Sequence, residues 1–191
     1  MILDYSITIP FLIIAAPIIL IIGLLVKKSS PGPLIYPRRV LGENGRHFLA
    51  YKFRTMYVAG EALLSEDERE QLRSKLKIKA DPRITPIGKW LRRFSLDELP
   101  QLINVLKREM SLIGPRMLTE QELIRFGPLA EVVLSVKPGL SGLWQVNGRA
   151  DTTVEDRIYL NMKYIINWSP KLEFSIILHT IPAVLMGRGA Y

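Results

Sequence analysis

Between residues 5 and 26 the chain reads YSITIPFLIIAAPIILIIGLLV. This run carries no charge and is as long as the roughly 20 apolar residues that a bilayer-crossing helix needs. A segment of this kind belongs in a membrane, and whatever follows must fold beside it. It does not read as a cleaved signal peptide. A basic leader is missing, and Lys27-Lys28-Ser29-Ser30-Pro31 stands where a small-residue cleavage site would lie. Lys27 and Lys28 put the downstream chain on the cytoplasmic side by the positive-inside rule. Pro10 and Pro17 each remove a helix hydrogen bond, which leaves two readings open: a kinked helix that spans, or a helix broken at Ala16-Pro17 that dips into one leaflet and returns.

The chain of 191 residues contains no Pro/Gly/Ser-rich linker and no internal repeat, so one soluble domain is expected after the membrane segment. Lys and Arg number 26 against 18 Asp and Glu, a net charge of +8, and Asp4 is the only charge ahead of Lys27. The soluble part is therefore basic and suits anionic partners such as phospholipid head groups or nucleotides. Nucleic acid is disfavoured as a partner, because the aromatic residues do not interleave with Lys and Arg as stacking platforms require. The absence of cysteine rules out disulfides, thiol nucleophiles and Cys-based metal sites. With only His47 and His179, far apart in sequence, a His-rich zinc centre is not expected either.

Past the turn-forming Ser29-Ser30-Pro31-Gly32-Pro33, two short strands are predicted at residues 34–36 and 47–53, joined by a hairpin turn at Gly42-Glu43-Asn44-Gly45. Residues 61–77 read as a charged surface helix. Pro82 and Pro86 break the chain before 89–94, and helical periodicity returns over 96–106, 119–136 and 154–168. The segment 174–186 is apolar but too short for a confident second span, and reads as a buried or interface-lying helix.

The chemistry concentrates in Ser95-Leu96-Asp97-Glu98-Leu99-Pro100-Gln101-Leu102, with Arg92 and Arg93 just ahead. Ser95 to Glu98 fits an S-x-x-E capping box, and Asp97 could itself be the cap, with Pro100 in the first turn. Simple capping therefore competes with catalysis. In the catalytic reading one carboxylate attacks phosphorus and its neighbour holds a divalent ion, for which oxygen ligands and phosphate suit Mg²⁺. Lys52, Arg54, Arg92, Arg93, Arg116 and Arg149 are the candidate cations for phosphate oxygens. Arg116 and Arg149 follow tight Gly/Pro turns that let backbone and guanidinium approach an anion together. Trp144, Gln145 and Asn147 offer an aromatic face and two amides for a base or sugar, against the plain alternative of a core Trp with polar loop neighbours. No Walker P-loop, G-x-G-x-x-G, G-x-S-x-G or H-E-x-x-H pattern occurs.

These residues, with Lys52-Phe53-Arg54-Thr55-Met56, Asp81-Pro82-Arg83-Ile84-Thr85, Asn104-Val105-Leu106, residues 110–116 (MSLIGPR) and residues 137–149 (KPGLSGLWQVNGR), resemble the bacterial sugar transferase family of monotopic polyprenyl-phosphate phosphoglycosyl transferases. The resemblance covers nearly the whole chain in order. It implies an α+β fold, a small helix-rich catalytic domain at 29–191 with a short β-hairpin, and a broken re-entrant membrane helix at 1–28 bent at Ala16-Pro17. It further implies an enzyme at the bacterial inner membrane, its catalytic domain facing the cytoplasm. The reaction implied transfers sugar-1-phosphate from a UDP-sugar to undecaprenyl phosphate through a phosphoryl-aspartate intermediate, releasing UMP, in the first membrane step of exopolysaccharide or other glycoconjugate assembly. Asp97 would be the nucleophile and Glu98 the Mg²⁺ ligand. Arg92, Arg116, Arg149, Gln145 and Asn147 would bind phosphate or nucleotide, and Lys52 and Arg54 would line the entrance for lipid head groups. Two departures stand out: Ala16 replaces the usual Ser at the bend, and Met1-Ile2-Leu3-Asp4 lacks the usual basic pair. The second makes a fragment of a longer protein with further N-terminal membrane helices an expectation. The competing class is a non-catalytic, membrane-anchored basic scaffold that binds anionic lipid or a partner protein. No residue distinguishes galactose from glucose or an amino sugar, and none reports the oligomeric state.

Overall fold

The computed structural model describes residues 2–75, 78, 80–148 and 152–187. The apolar segment forms α1 (Ile2–Ser29), which is helical straight through Pro10 and Pro17. The sequence reading expected a break at Ala16-Pro17. A proline forfeits one backbone donor, but the surrounding bonds carry the helix on. Thr8, Ala15, Ile22 and Val26 are buried, and their spacing places them on one stripe of the helix. The stripe docks on the domain at both ends. Near the start, Asp4 accepts hydrogen bonds from Ser111 Oγ (2.7 Å) and the Leu112 amide (2.9 Å), and Tyr5 Oη donates to the Leu106 carbonyl at 3.2 Å. Near the finish, Ile22 and Val26 pack against Phe53 and Leu91. The remaining faces expose Ile7, Phe11, Ile14, Ile18, Ile21 and Leu25.

Strands β1 (Ile35–Leu41) and β2 (His47–Phe53) pair antiparallel, from Ile35 opposite Phe53 to Leu41 opposite His47. Asn44 and Gly45 take the positive φ values that let the chain reverse within so short a connection. One hairpin face carries Val40, Phe48 and Ala50, which form a core with Val105, Met110 and Met117. The same face carries Lys52, opposite Tyr36.

The charged segment forms α2 (Glu66–Lys75), shorter than predicted. Thr85-Pro86, expected to break the chain, instead starts α3 (Pro86–Arg93): the Thr85 hydroxyl accepts from the Gly88 amide, and Pro86 takes the first turn. A 3-10 helix, Leu96–Gln101, then runs directly into α4 (Leu102–Leu106). Two strands of three residues, β3 (Ser111–Ile113) and, further on, β4 (Gly139–Ser141), pair in parallel. The predicted helix at 119–136 splits into α5 (Glu120–Phe126) and α6 (Leu129–Leu134), because Gly127 takes positive φ and Pro128 cannot continue a helix. After the short α7 (Leu143–Val146) come α8 (Val154–Ile166) and α9 (Pro170–Met186). Leu118, Phe126, Ala130 and Val133 form a second core that α8 covers with Ile158, Met162 and Ile165. Helix α9 buries Ile176 against Ile113 and Tyr164 and leaves Phe174, Leu178, Ile181 and Leu185 exposed, one apolar stripe at helical spacing.

Candidate active site

Three elements converge on Asp97. Helix α3 is fixed to the chain beyond β2 because the Thr85 amide donates to the Thr55 carbonyl at 2.9 Å. Gly88 permits this closeness, since a Cβ there would stand 2.1 Å from the Thr55 carbonyl oxygen. The approach brings Arg92 Nε to 2.9 Å from Thr55 Oγ1. From β2, Lys52 Nζ reaches Glu98 Oε1 at 2.5 Å. The 3-10 helix supplies Asp97 and Glu98 themselves.

Neither capping arrangement forms. Ser95 takes the left-handed conformation, φ 53° and ψ 21°, and makes no side-chain cap hydrogen bond. Asp97 lies inside the 3-10 helix and is only 7% exposed. A non-glycine residue at positive φ costs of order 1 kcal/mol, a strain that concentrates at functional sites. Burial pushes the Asp97 carboxyl above its usual range, and the Glu98 charge adds to this, while Lys52 and Arg92 pull it back. Burial likewise lowers the Arg92 guanidinium from its ordinary value, against the opposing pull of Asp97 and Asp81. A buried carboxylate between two cations, with a second carboxylate adjacent, is costly to maintain, and an arriving phosphate or cation relieves it.

Asp81 extends the network. It accepts from Arg83 Nε at 2.9 Å and from the Arg83 terminal nitrogen at 2.7 Å, and Arg83 also pairs with Glu61 at 2.6 Å. Burial would raise the Asp81 carboxyl, but the Arg83 hydrogen bonds outweigh it and hold it below its usual range.

The other expected site residues make contacts of their own. Arg54, expected at a lipid entrance, is bound to backbone. It is 5% exposed and donates to the Ser30 carbonyl (2.6 Å) and the Pro31 carbonyl (2.7 Å), closing off the chain just after α1. The end of a helix leaves carbonyls without partners, and a buried guanidinium with five donors suits that place. Lys52, expected beside it, pairs with Glu98 instead. Ala16 and Pro17 are exposed midway along α1. Arg116 belongs to a second cluster: its guanidinium lies 4.7 Å from the Trp144 ring centroid, and its amide donates to Asn161 Oδ1 at 3.1 Å. Trp144 is 7% exposed, donates to Thr152 Oγ1 at 2.7 Å and is also faced by Arg157, so the core reading of this residue prevails over a platform for a base. The Asn147 amide donates back to the Leu143 carbonyl at 2.7 Å. Gln145 lies in α7 beside Gly142, where an added Cβ would meet its Oε1 at 2.9 Å. Arg149 lies outside the described residues.

The sequence reading gave no role to Gln101, Asn104 or Thr55. Asn104 is fully buried and stitches α4 to β2: its Oδ1 accepts from the Tyr51 amide at 3.1 Å, and its Nδ2 donates to the Leu49 carbonyl (2.8 Å) and to Glu109 (2.6 Å). The available signal was the polar spacing 97, 101, 104 within an otherwise apolar stretch, the i, i+4, i+7 pattern of one helix face.

For a metal, two adjacent carboxylates offer hard oxygen donors. Among the described residues no group of three or more acidic or histidine side chains gathers. A divalent ion here would thus be held by one or two carboxylates with phosphate oxygens completing its shell, the arrangement Mg²⁺ favours. The donor set fits Mg²⁺, with Glu98 the more exposed of the pair.

The family described as bacterial sugar transferase matches residues 1–187. The exopolysaccharide production protein ExoY of Sinorhizobium fredii is 42% identical, over 98% of this chain and 86% of its own length. The undecaprenyl-phosphate galactose phosphotransferase of Salmonella typhimurium is 40% identical over 98% of this chain, which corresponds to 40% of that longer protein. The undecaprenyl-phosphate glucose phosphotransferase of Komagataeibacter xylinus is 35% identical over 98% of this chain and 36% of its own length.

Proposed function

The chain belongs to the bacterial sugar transferase family, and from that premise we propose that it is a polyprenyl-phosphate phosphoglycosyl transferase that moves sugar-1-phosphate from a UDP-sugar to undecaprenyl phosphate. The observation that carries this is the buried Asp97 carboxylate, engaged in no cap and flanked by Lys52 and Arg92. An Asp97 oxygen attacks the β-phosphorus of the donor. The bond from that phosphorus to the bridging oxygen breaks, and UMP leaves with the electron pair. An oxygen of undecaprenyl phosphate then attacks the same phosphorus and expels Asp97, which is free for another cycle. Arg92 and Lys52 hold the phosphate oxygens as charge moves between them. Mg²⁺ at Glu98 would neutralise part of that charge.

Helix α1 lies in one leaflet of the inner membrane without crossing it, both of its ends on the cytoplasmic side. Support comes from its two ends docking on one domain while its outward faces are apolar. The catalytic domain then sits on the cytoplasmic face, where UDP-sugars are found. Because the sequence holds no cysteine, single cysteines at Leu3 and Lys28 report topology cleanly. Both should react with a membrane-impermeant maleimide only from the cytoplasmic side, and labelling of residue 3 from outside would overturn this arrangement.

The activity is tested with the protein in nanodiscs containing undecaprenyl phosphate, with Mg²⁺ and a panel of UDP-sugars. UMP release with at least one donor, dependent on the lipid phosphate for sustained turnover, is the expected result. Failure with every donor would sink the proposal.

A further inference from the structure

Gln101 is wholly buried, and neither its Oε1 nor its Nε2 has a hydrogen-bond partner. A buried polar group left unpaired destabilises the fold, so a side chain with two of them calls for a reason. Its polar neighbours in the sequence define the contrast. Three residues later, Asn104 spends its amide on the β2 backbone and Glu109. Four residues earlier lies Asp97, buried and without a cap interaction. An amide whose purpose was architectural would be saturated as Asn104 is. Leucine or methionine would fill the same volume without the cost.

The local helix type explains why Asp97 and Gln101 do not meet. In 3-10 geometry, at three residues per turn, positions i and i+4 project about 120° apart. In α geometry, at 3.6 residues per turn, they project about 40° apart and lie one above the other. The segment Leu96–Gln101 is 3-10 and continues without a gap into the α-helix Leu102–Leu106. Moving that junction back by a single turn, to α winding from Leu99, turns the Gln101 amide toward the Asp97 carboxylate, narrowing their offset to about 80°. Pro100 then stands in the first α turn, the place where proline is tolerated.

We infer that Gln101 is the positioning residue of Asp97: when donor engages the site, the last 3-10 turn rewinds to α and Gln101 Nε2–H donates to one Asp97 oxygen, leaving the other oxygen's lone pair for phosphorus. The inference rests on the reading of Asp97 as the nucleophile. It assigns the unpaired amide a partner that exists only in the working state, which is where such a cost is repaid in rate rather than in stability.

The test compares Gln101→Met with wild type in nanodiscs containing undecaprenyl phosphate, with Mg²⁺ and the same panel of UDP-sugars, and measures thermal midpoint without donor, KM and kcat. Methionine keeps the volume and removes both polar atoms. The expected result is a thermal midpoint equal to or above wild type, KM within about twofold, and kcat lowered about 10- to 100-fold, the range typical of groups that support a reacting residue. Gln101→Glu, which puts a second negative charge by Asp97, should lower kcat further. A fallen thermal midpoint in Gln101→Met would show the amide to be structural and overturn the inference. So would an unchanged kcat in a stable Gln101→Met protein. If wild type itself turns over no donor of the panel while Gln101→Met is stabilised, it is the nucleophile reading that has failed, and the positioning role falls with it. Wild-type turnover that the variant matches defeats the positioning role alone.

Discussion

Two polar clusters in this protein draw on the same residue types and are built in opposite ways. Around Asp97, a carboxyl is buried and forced above its usual range by burial and by Glu98, next to an arginine whose charge burial also disfavours. Around Trp144, the charges are spent on one another. Arg157 pairs with Glu122 at 2.9 Å and lies over both the Trp144 and Phe126 rings, while Glu122 closes the capping box of α5 with Thr119. Burial lowers Arg157 as it lowers Arg92, so the difference lies in the carboxyls: the charged form of Asp97 is disfavoured, and that of Glu122 is favoured. Opposite charges in sequence thus say little until it is known which of them are already satisfied.

The sharpest way to break that contrast is Asp97→Asn. Turnover should fall at least about 10³-fold, as loss of a nucleophile does. At neutral pH the same variant should be more stable than wild type. The sign follows from the raised carboxyl. Below the ordinary value of 3.8 both folded and unfolded states are protonated there; between 3.8 and the higher folded value only the unfolded state gives up its proton, so the wild type loses stability as pH rises across that window and does not regain it above. The advantage of Asn should therefore vanish as pH is lowered toward 3.8, in thermal unfolding followed across pH. A destabilised Asp97→Asn at pH 7 would show the carboxylate to be a structural ion. Next in size is Asn104→Ala, seven residues along the same face. It orphans the Tyr51 amide and the Leu49 carbonyl, and should cost about 3 kcal/mol in denaturant unfolding, with KM for donor unchanged in the folded fraction. These two neighbours should thus move stability in opposite directions.

Much of this arrangement was legible in the chain. The apolar run, the hairpin with Gly42-Glu43-Asn44-Gly45 at its turn, α8 and the Asp97-Glu98 pair all follow from local pattern, because each depends on residues close in sequence. Long-range partners were not legible. Lys52 in β2 and Arg54 just past its end sit two residues apart and carry the same expected role, yet Arg54 secures the chain after α1 and Lys52 reaches Glu98. The parallel pair of β3 and β4 was missed, since three residues show no alternation. Its glycines carried a signal that only the packing explains: a Cβ on Gly139 would stand 2.1 Å from the Gly114 amide nitrogen, and one on Gly142 the same distance from the Gly114 carbonyl oxygen. The motif glycines therefore serve backbone approach there. The capping box failed for a comparable reason, since Ser95 must take positive φ to link α3 to the 3-10 helix and so turns away from the donors a cap would satisfy.

The smallest effect tests the cluster around Trp144. Arg157→Met keeps the length of the side chain over Trp144 and removes the fork that pairs with Glu122. Glu122 retains its bonds from the Thr119 amide (3.0 Å) and hydroxyl (2.9 Å), so it is not left alone, and the loss should be about 1.5–2 kcal/mol. Burial would raise the Glu122 carboxyl, but Arg157 foremost, with Thr119 and Arg116, holds it below its ordinary 4.5. A depressed carboxyl adds stability above its unfolded value and gives it up as pH falls through the folded one. The gap between wild type and Arg157→Met should accordingly be full at neutral pH and close below about 4.5, the reverse of the Asp97→Asn difference, in which the variant is the more stable protein. Turnover per folded molecule should stay within a few-fold of wild type if this cluster serves only as support. A collapse in turnover with KM for the UDP-sugar raised would instead bring the Arg116 and Trp144 region into the donor site, and the two clusters would then share one task.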